Sequence, residues 1–551
     1  MKKVTIVFLV LIVLFLVAGG VFYFRASRAE KQGFEGASNT GRIKGDVKIA
    51  GDNYIMYWPL ADSSIFEKNL RQEGWLREWT DDGGNYADRL AKFCAGKFDI
   101  IVLPVTEYVF HGKDCNYPGV VVVALSESSG ADSVLAYRDA ILGSDTRDPQ
   151  VNDLNNANLK ICVTPQSPSE RVIDIGITDF DLDQLKGTNS WMVESNGSSD
   201  ALKRFQGGEC KAAVLWEPDV SRALHMPGVV EVFSSAKFKE YIVDVFVVQR
   251  SMVTGDLDKV TSFFRAYYKT QQYYVDNPEE MLDHMEKSYK GMDDPPFKNR
   301  DEIRKALDRA VWFDAEDNCF DWFSVDVLGI SYDQRREKMA ETVSRVTRLM
   351  MKSGDLLADP IGGNPYMVTT RIADTSKGEQ LDFITLLCRE MLQNITTPGA
   401  SVLVERQFSK VTDEEWEKLS VIGKMTIVPI EFRSGTSEMT DTGRGAIDTE
   451  AVFALRNNYP DHRILIKGHT AYSANDRDIR KCGEAAENIL LSQMRADETR
   501  SYLISAHQFD PNRVRALGVG SCDRLERYPG EGDLSYKSRL SRVEFILIED
   551  S

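Results

Sequence analysis

The chain of 551 residues carries 67 Lys and Arg against 84 Asp and Glu, a formal charge of -17. That balance excludes a basic nucleic-acid binder. With 42% hydrophobic and 27% charged residues the composition is that of folded domains, about three or four at roughly 150 residues each. Six histidines and no HExxH or CxxC spacing argue against a metal site, and no paired carboxylates, triad or phosphate loop can be placed. The expectation is a protein with no catalytic residues, metal or cofactor.

Residues 4–24 (VTIVFLVLIVLFLVAGGVFYF) hold 21 positions without a charge. As a helix rising ~1.5 Å per residue they span ~31 Å, the thickness of a hydrocarbon core. The run exceeds the apolar core of about 7 to 15 residues in a cleaved leader, which is the rival reading. Residues 1–30 are therefore expected to be an uncleaved anchor. Lys2 and Lys3 on one flank face Arg25, Arg28 and Lys31 on the other, so charge leaves the orientation open.

A polar linker, residues 31–45, leads into short apolar runs that alternate with helical patterns, which predicts an α/β domain. Strands are expected at 47–51, 98–104, 119–125, 159–165, 190–194, 211–217 and 241–249. Most are unbroken Val/Ile-rich runs, as in parallel strands covered on both faces. Residues 64–79 and 198–206 are long enough for crossover helices. Ser167-Pro168-Ser169-Glu170 and Ser64-Ile65-Phe66-Glu67 read as capping boxes, whose free backbone N–H groups cap a helix and can also hold a small anion. Phe263, Phe264, Tyr267, Tyr268, Tyr273 and Tyr274, at spacings of three and four, read as one packed helix face.

Three stretches then become specific: Ser129-Gly130-Ala131-Asp132-Ser133, residues 159–169 (LKICVTPQSPS) and residues 205–219 (FQGGECKAAVLWEPD). With them, the region 46–375 resembles type II periplasmic substrate-binding proteins of the nitrate/taurine (sulfonate) class. The resemblance implies an α/β fold of two lobes with a ligand between them. By position it implies ligand contacts from Tyr54, Tyr57 and Trp58 after the first strand, from Thr106, Ser128, Ser129, Ser167 and Ser169, and from Trp216 with Glu217. Aromatic rings would form walls, and hydroxyl and backbone N–H groups would fix an oxyanion or carbonyl. The implied small-molecule ligand is an oxyanion, a sulfonate or a pyrimidine-like compound. Core packing is the competing reading of the aromatics. An inward, unpaired Glu217 would repel an anion, so ligand identity stays open. Relatives that synthesise thiamine pyrimidine carry a cysteine-rich motif that has no counterpart here.

Residues 376–422 read as a connector. Beyond it, strands are expected at 426–432, 463–468, 514–518 and 543–548, with helices at 449–458 and 478–507. Gly468-His469-Thr470, Leu491-Ser492-Gln493-Met494-Arg495-Ala496, Gly518-Val519-Gly520-Ser521 and Arg542-Val543-Glu544-Phe545 make residues 423–551 resemble an OmpA-like peptidoglycan-associated α/β sandwich domain. In that family an aspartate after Gly-His-Thr and the helix arginine grip the zwitterionic end of a wall stem peptide. The resemblance implies wall contacts from Thr470, Arg495 and Arg542. Ala471 stands where the aspartate belongs, which weakens expected peptidoglycan binding. Asp476 or Asp478, in a stretch longer than usual, either replaces that carboxylate or is a surface charge.

Eight cysteines follow the apolar segment, an even set suited to an oxidising compartment. Cys94 with Cys115 and Cys482 with Cys522 are the expected pairs. Together these readings predict a non-enzymatic protein anchored once in the inner membrane, with most of the chain in the periplasm. Its solute-binding domain would be tethered to a wall-associating module for sensing or scaffolding. The alternatives are a tethered binding subunit of an ABC importer, which needs a membrane-protein partner, and a ligand-free scaffold.

Overall fold

The computed structural model describes residues 43–550 except 181, 188, 293–294, 324–336, 370, 375–378, 383, 385–386, 389–407, 428, 434 and 473–485. The apolar segment 4–24 lies outside the described residues. Among the described residues no helix is long and apolar enough to cross a membrane.

The chain first forms β1 (Gly45–Gly51), α1 (Ser64–Gln72), β2 (Trp75–Asp81), α2 (Tyr86–Cys94), β3 (Ile100–Pro104), α3 (Val105–Gly112) and β4 (Gly119–Ser128). It then crosses over for β5 (Asp132–Tyr137), β6 (Ile161–Val163), α4 (Pro168–Asp179), β7 (Met192–Glu194), α5 (Ser198–Gln206), β8 (Ala212–Trp216), α6 (Asp219–Leu224) and β9 (Val229–Ser234). It returns for β10 (Val243–Gln249), α7 (Leu257–Asp276), β11 (Ala310–Trp312) and α8 (Lys338–Ser353). One sheet has the order β11-β4-β10-β3-β1-β2 and the other β7-β6-β8-β5-β9. This makes two α/β lobes joined at two crossings, residues 129–131 and 235–242. The crossings are tied together: Ser128 N donates to Ile242 O (2.9 Å), and the hydroxyls of Ser128 and Ser235 lie 2.7 Å apart.

Several expected elements change. The helix expected over 64–79 is capped by Ser63, whose hydroxyl accepts from Phe66 N, and it ends at Gln72. Gly74 takes a φ of +92°, after which Trp75–Asp81 pairs parallel with β1 along its whole length. As a half-exposed edge strand, β2 mixes charged and aromatic residues and lacks the apolar run of its neighbours. The parallel reading fails for β10, which runs antiparallel to β3 and to β4. On α7, Phe263, Phe264, Tyr267, Tyr268 and Tyr274 are buried, and Phe246 of β10 meets the rings of Phe263, Phe264 and Tyr267 edge-on. Tyr273 is only partly buried and donates to Glu280.

A hairpin, β12 (Arg371–Asp374) with β13 (Glu379–Asp382), precedes the third sheet. That sheet combines β14 (Val421–Met425), β15 (Arg463–Gly468), β16 (Val514–Gly518) and β17 (Val543–Ile548) in the order β14-β17-β15-β16. Helix α9 (Ala486–His507) lies on it, and α10 (Asp533–Leu540) precedes β17. The strand expected at 426–432 is instead β14, and helical turns run from Asp441 to Asn458. Gly468 and Gly518 allow α9 to lie against the sheet, since a Cβ at Gly518 would sit 2.3 Å from Gln493 N.

The third sheet docks on the second lobe. Buried Asp179 at the end of α4 accepts from Asn458 Nδ2 (3.2 Å) and the Tyr459 hydroxyl (3.1 Å) and pairs with Lys352 of α8 (3.2 Å). Phe180 forms a backbone bridge to Met425, and its ring fills the space above Gly423. Disulfides join Cys94 to Cys115, Cys162 to Cys210 and Cys319 to Cys388. Cys482 lies outside the described residues.

Candidate functional site

The two lobes meet over a cavity of about 10 Å³, lined by Tyr54, Tyr57, Tyr86, Pro104, Asp132, Pro168, Trp216, Ile242 and Asp244. A space of that size holds about one water molecule. From the first lobe, the turn after β1 supplies Tyr54 and Tyr57, whose rings meet edge-on at 5.3 Å. Asp52 shapes this turn: it accepts from Tyr54 N (3.0 Å) and pairs with the buried Arg89 (2.8 Å). Arg89 also binds Asp82 and the Val102 carbonyl, both at 2.5 Å. Asp244 of β10 accepts from the Tyr57 hydroxyl and from Ser126 Oγ (3.1 Å).

From the second lobe, Asp132 opens β5 with its backbone N–H donating to Ser128 Oγ (3.1 Å). Trp216 closes β8 and packs across the cleft on Gly84. Burial pushes the Asp132 carboxyl up to about 7, with the charges of Asp52 and Glu217 adding to it. Burial likewise pushes Asp244 up to about 8, aided by Asp132 and Asp52. Near neutrality the Asp244 carboxyl therefore mostly holds its proton, and the Asp132 carboxyl is divided between its two forms. Among the described residues Trp216 Nε1 is buried without a hydrogen-bond partner, and Tyr54 Oη is buried beside Ser128.

Of the residues expected from sequence, Tyr54, Tyr57 and Trp216 line this cavity. Trp58 packs beside Tyr274 instead. Thr106 is buried in the first turn of α3, and Ser128 belongs to the crossing between lobes. Ser129 is exposed and contributes its backbone N–H to Arg309 O (2.8 Å). Ser167 caps α4, accepting from Ser169 N (3.2 Å) and donating to Thr164 O (2.6 Å). Ser169 is buried, and Pro168 between the two serines touches the cavity. Glu217 turns back onto α6, accepting from the Ser221 hydroxyl (2.8 Å) and backbone N–H (3.2 Å), with Arg309 3.6 Å away. Burial raises its pKa to about 7. Sequence reasoning did not select Tyr86, Asp132 or Asp244. Asp132 sits inside a recognised stretch, and a polar residue amid the apolar run of β10 is the signal that Asp244 offered.

At the third sheet, Thr470 N donates to Gly520 O (2.8 Å), and among the described residues the buried Thr470 hydroxyl has no partner. Arg495 of α9 donates to Thr436 O (3.0 Å) and Ser541 Oγ (2.7 Å) and lies over Phe432. Its guanidinium has no carboxylate partner among the described residues. Arg542 is bound to Glu544 (2.7 Å), which also meets His469 Nε2 (3.1 Å). Burial raises Glu544, but His469, Arg542 and Lys424 outweigh it and hold the carboxyl well below the usual range. Asp476 and Asp478 lie outside the described residues.

Residues 431–534 match the OmpA family. No curated protein matches the chain. Among solved structures, the chain is similar to the periplasmic aliphatic sulphonate binding protein SsuA from Escherichia coli at 14% identity, covering 66% of this chain and 99% of that one, with a TM-score of 0.43. It is similar to the periplasmic nitrate-binding protein NrtA from Synechocystis PCC 6803 at 13% identity, covering 66% and 91%, with a TM-score of 0.44. The alkanesulfonate-binding protein SsuA from Xanthomonas axonopodis pv. citri, solved with MOPS, is 13% identical over 57% of this chain and 95% of that one, with a TM-score of 0.42. The ligands in those names belong to those proteins.

Proposed function

We propose that the protein is a non-enzymatic, periplasmic solute-binding protein, held in the inner membrane by residues 4–24 and joined to a wall-associating OmpA-family module. The carrying observation is the cleft, to which both lobes contribute aromatic rings and a buried carboxyl around one cavity. The two adjacent crossings, which run in opposite directions and are joined through Ser128 and Ser235, form a hinge about which the lobes can part to admit a ligand. Three disulfides suit an oxidising compartment. The units under this proposal are the anchor (1–30), linker (31–45), binding domain (46–375), connector (376–422) and OmpA-like domain (423–551).

Docking of the OmpA-like module on the second lobe supports a sensing role. The OmpA-like module is fastened to the second lobe through Asp179 and Phe180, so lobe closure carries it along. Ligand then shifts the module only through its different affinity for open and closed forms. Mass spectrometry of protein purified from its own cells tests the binding reading through a retained solute. Scattering with and without that solute tests the coupling. The small closed cavity favours the ligand-free scaffold as a second reading, which predicts that no solute is retained and that shape is constant.

A further inference from the structure

Charge accounting in the cleft runs against the oxyanion or sulfonate expected from resemblance. Asp132 from one lobe and Asp244 from the other line the same cavity. Among the described residues neither has an ion-pair partner: Asp244 is held by the Tyr57 and Ser126 hydroxyls, and Asp132 lies beside Ser128. Nearby cations are already engaged, Arg89 by Asp52 and Asp82, and Arg309 by Glu231 and Glu217. An anion placed here would meet a carboxyl from each lobe and would be repelled wherever either has lost its proton.

Two further observations describe what the cleft lacks. Among the described residues the indole N–H of Trp216 is a buried donor without an acceptor, and the Tyr54 hydroxyl is buried with only Ser128 beside it. A buried polar group left this way is costly. Among the described residues, the cleft acids do not converge at metal-ligand spacing. The one acidic group that does, Glu170, Asp174 and Asp355, already holds the Arg171 guanidinium.

We propose that the cleft binds a small organic ammonium compound that also carries a hydrogen-bond acceptor. The charged nitrogen sits between Asp132 and Asp244 within the ring of Tyr54, Tyr57, Tyr86 and Trp216, and the acceptor meets the Trp216 N–H. Aromatic rings attract a desolvated cation, and two carboxylates from opposite lobes make closure depend on it. Without ligand the acids close only by holding protons, so the arriving cation displaces protons from the cleft. This inference rests on the solute-binding reading and names its ligand class.

The test is calorimetric titration of the full chain with choline, ethanolamine and tetramethylammonium as cationic probes, and methanesulfonate and nitrate as anionic ones. Choline or ethanolamine is expected to bind at pH 8.5, at least tenfold more weakly at pH 5.5, with proton release at pH 7.5. Tetramethylammonium, which lacks an acceptor, binds more weakly than choline. Asp132→Asn and Asp244→Asn each weaken binding at least tenfold, and the pH dependence of the unaltered protein needs no variant to fold. Failure of all three ammonium probes overturns the proposal, as does binding insensitive to pH and to both substitutions. Anion binding sinks the cation class but leaves solute binding standing. If neither charge class binds and protein from cells retains no solute, the solute-binding reading falls as well.

Discussion

Trp216 of the second lobe packs against Gly84 of the first so closely that a Cβ at Gly84 would lie 3.1 Å from the indole Cζ2. Gly84 also holds a φ of +85°, a conformation in which a side chain costs about 1–2 kcal/mol. Gly84→Ala is therefore expected to part the lobes. Small-angle scattering of the ligand-free protein should give a larger radius of gyration than the unaltered chain, and an equal radius would show that this contact does not govern closure.

Three buried acids set a pH slope. Asp132, Glu217 and Asp244 sit at about 7, 7 and 8, well above the roughly 4 of an unfolded carboxyl. Their contribution is complete below about pH 4 and is lost as pH rises through those values. Burial lowers His111 to about 4, so its opposing slope ends near the unfolded value of about 6.5. Urea unfolding of the ligand-free lobes should thus show lower stability at pH 9 than at pH 6.5. The double variant Asp132→Asn/Asp244→Asn should flatten the difference.

Asp179 gathers three partners, Lys352 of α8 and Asn458 and Tyr459 at the end of the helical turns before β15. Hydrogen bonds to a charged group contribute roughly 1.5–3 kcal/mol each. Asp179→Ala should release the OmpA-like module from the second lobe, seen as a longer maximum dimension in scattering. Tyr459→Phe, which removes one bond, should have a smaller effect in the same direction.

Wall binding should depend on Arg495, whose guanidinium is positioned by Thr436 and Ser541. Arg495→Ala is expected to lower co-sedimentation with purified sacculi at least tenfold, and Arg495→Lys to restore part of it, because a lysine keeps the charge but not the planar fork. Asp476→Ala/Asp478→Ala should reduce binding if either replaces the carboxylate absent at Ala471. Undiminished binding excludes that role.

Peptide mapping under non-reducing conditions should return Cys94–Cys115, Cys162–Cys210 and Cys319–Cys388. It should also return Cys482 bonded to Cys522, which we propose as the fourth pair. Recovery of Cys482 as a free thiol would reject that pair.

Local pattern made the central strands legible, because a strand covered on both faces must be apolar along its length. The same holds for α7, where aromatic spacing matches the helical repeat. Tyr54, Tyr57 and Trp216 could be named because they stand in or beside recognisable stretches. Asp132, although inside a recognised stretch, and Asp244 could not be paired from sequence: they stand on strands more than 100 residues apart, and nothing local marks them as neighbours. The edge strand β2 was hidden by its half-exposed, mixed composition.

Sequence alone determined the succession of buried strands, the apolar segment at the start and the OmpA-family motifs, since each depends on residues close together in the chain. Only the tertiary structure decided the charge of the cleft. It turned Glu217 back onto Ser221, used Arg89 within the first lobe, and brought Asp132 and Asp244 to one cavity from opposite lobes. The physical reason is that desolvation and Coulomb interaction act through space, so a carboxyl's role depends on which groups folding sets around it.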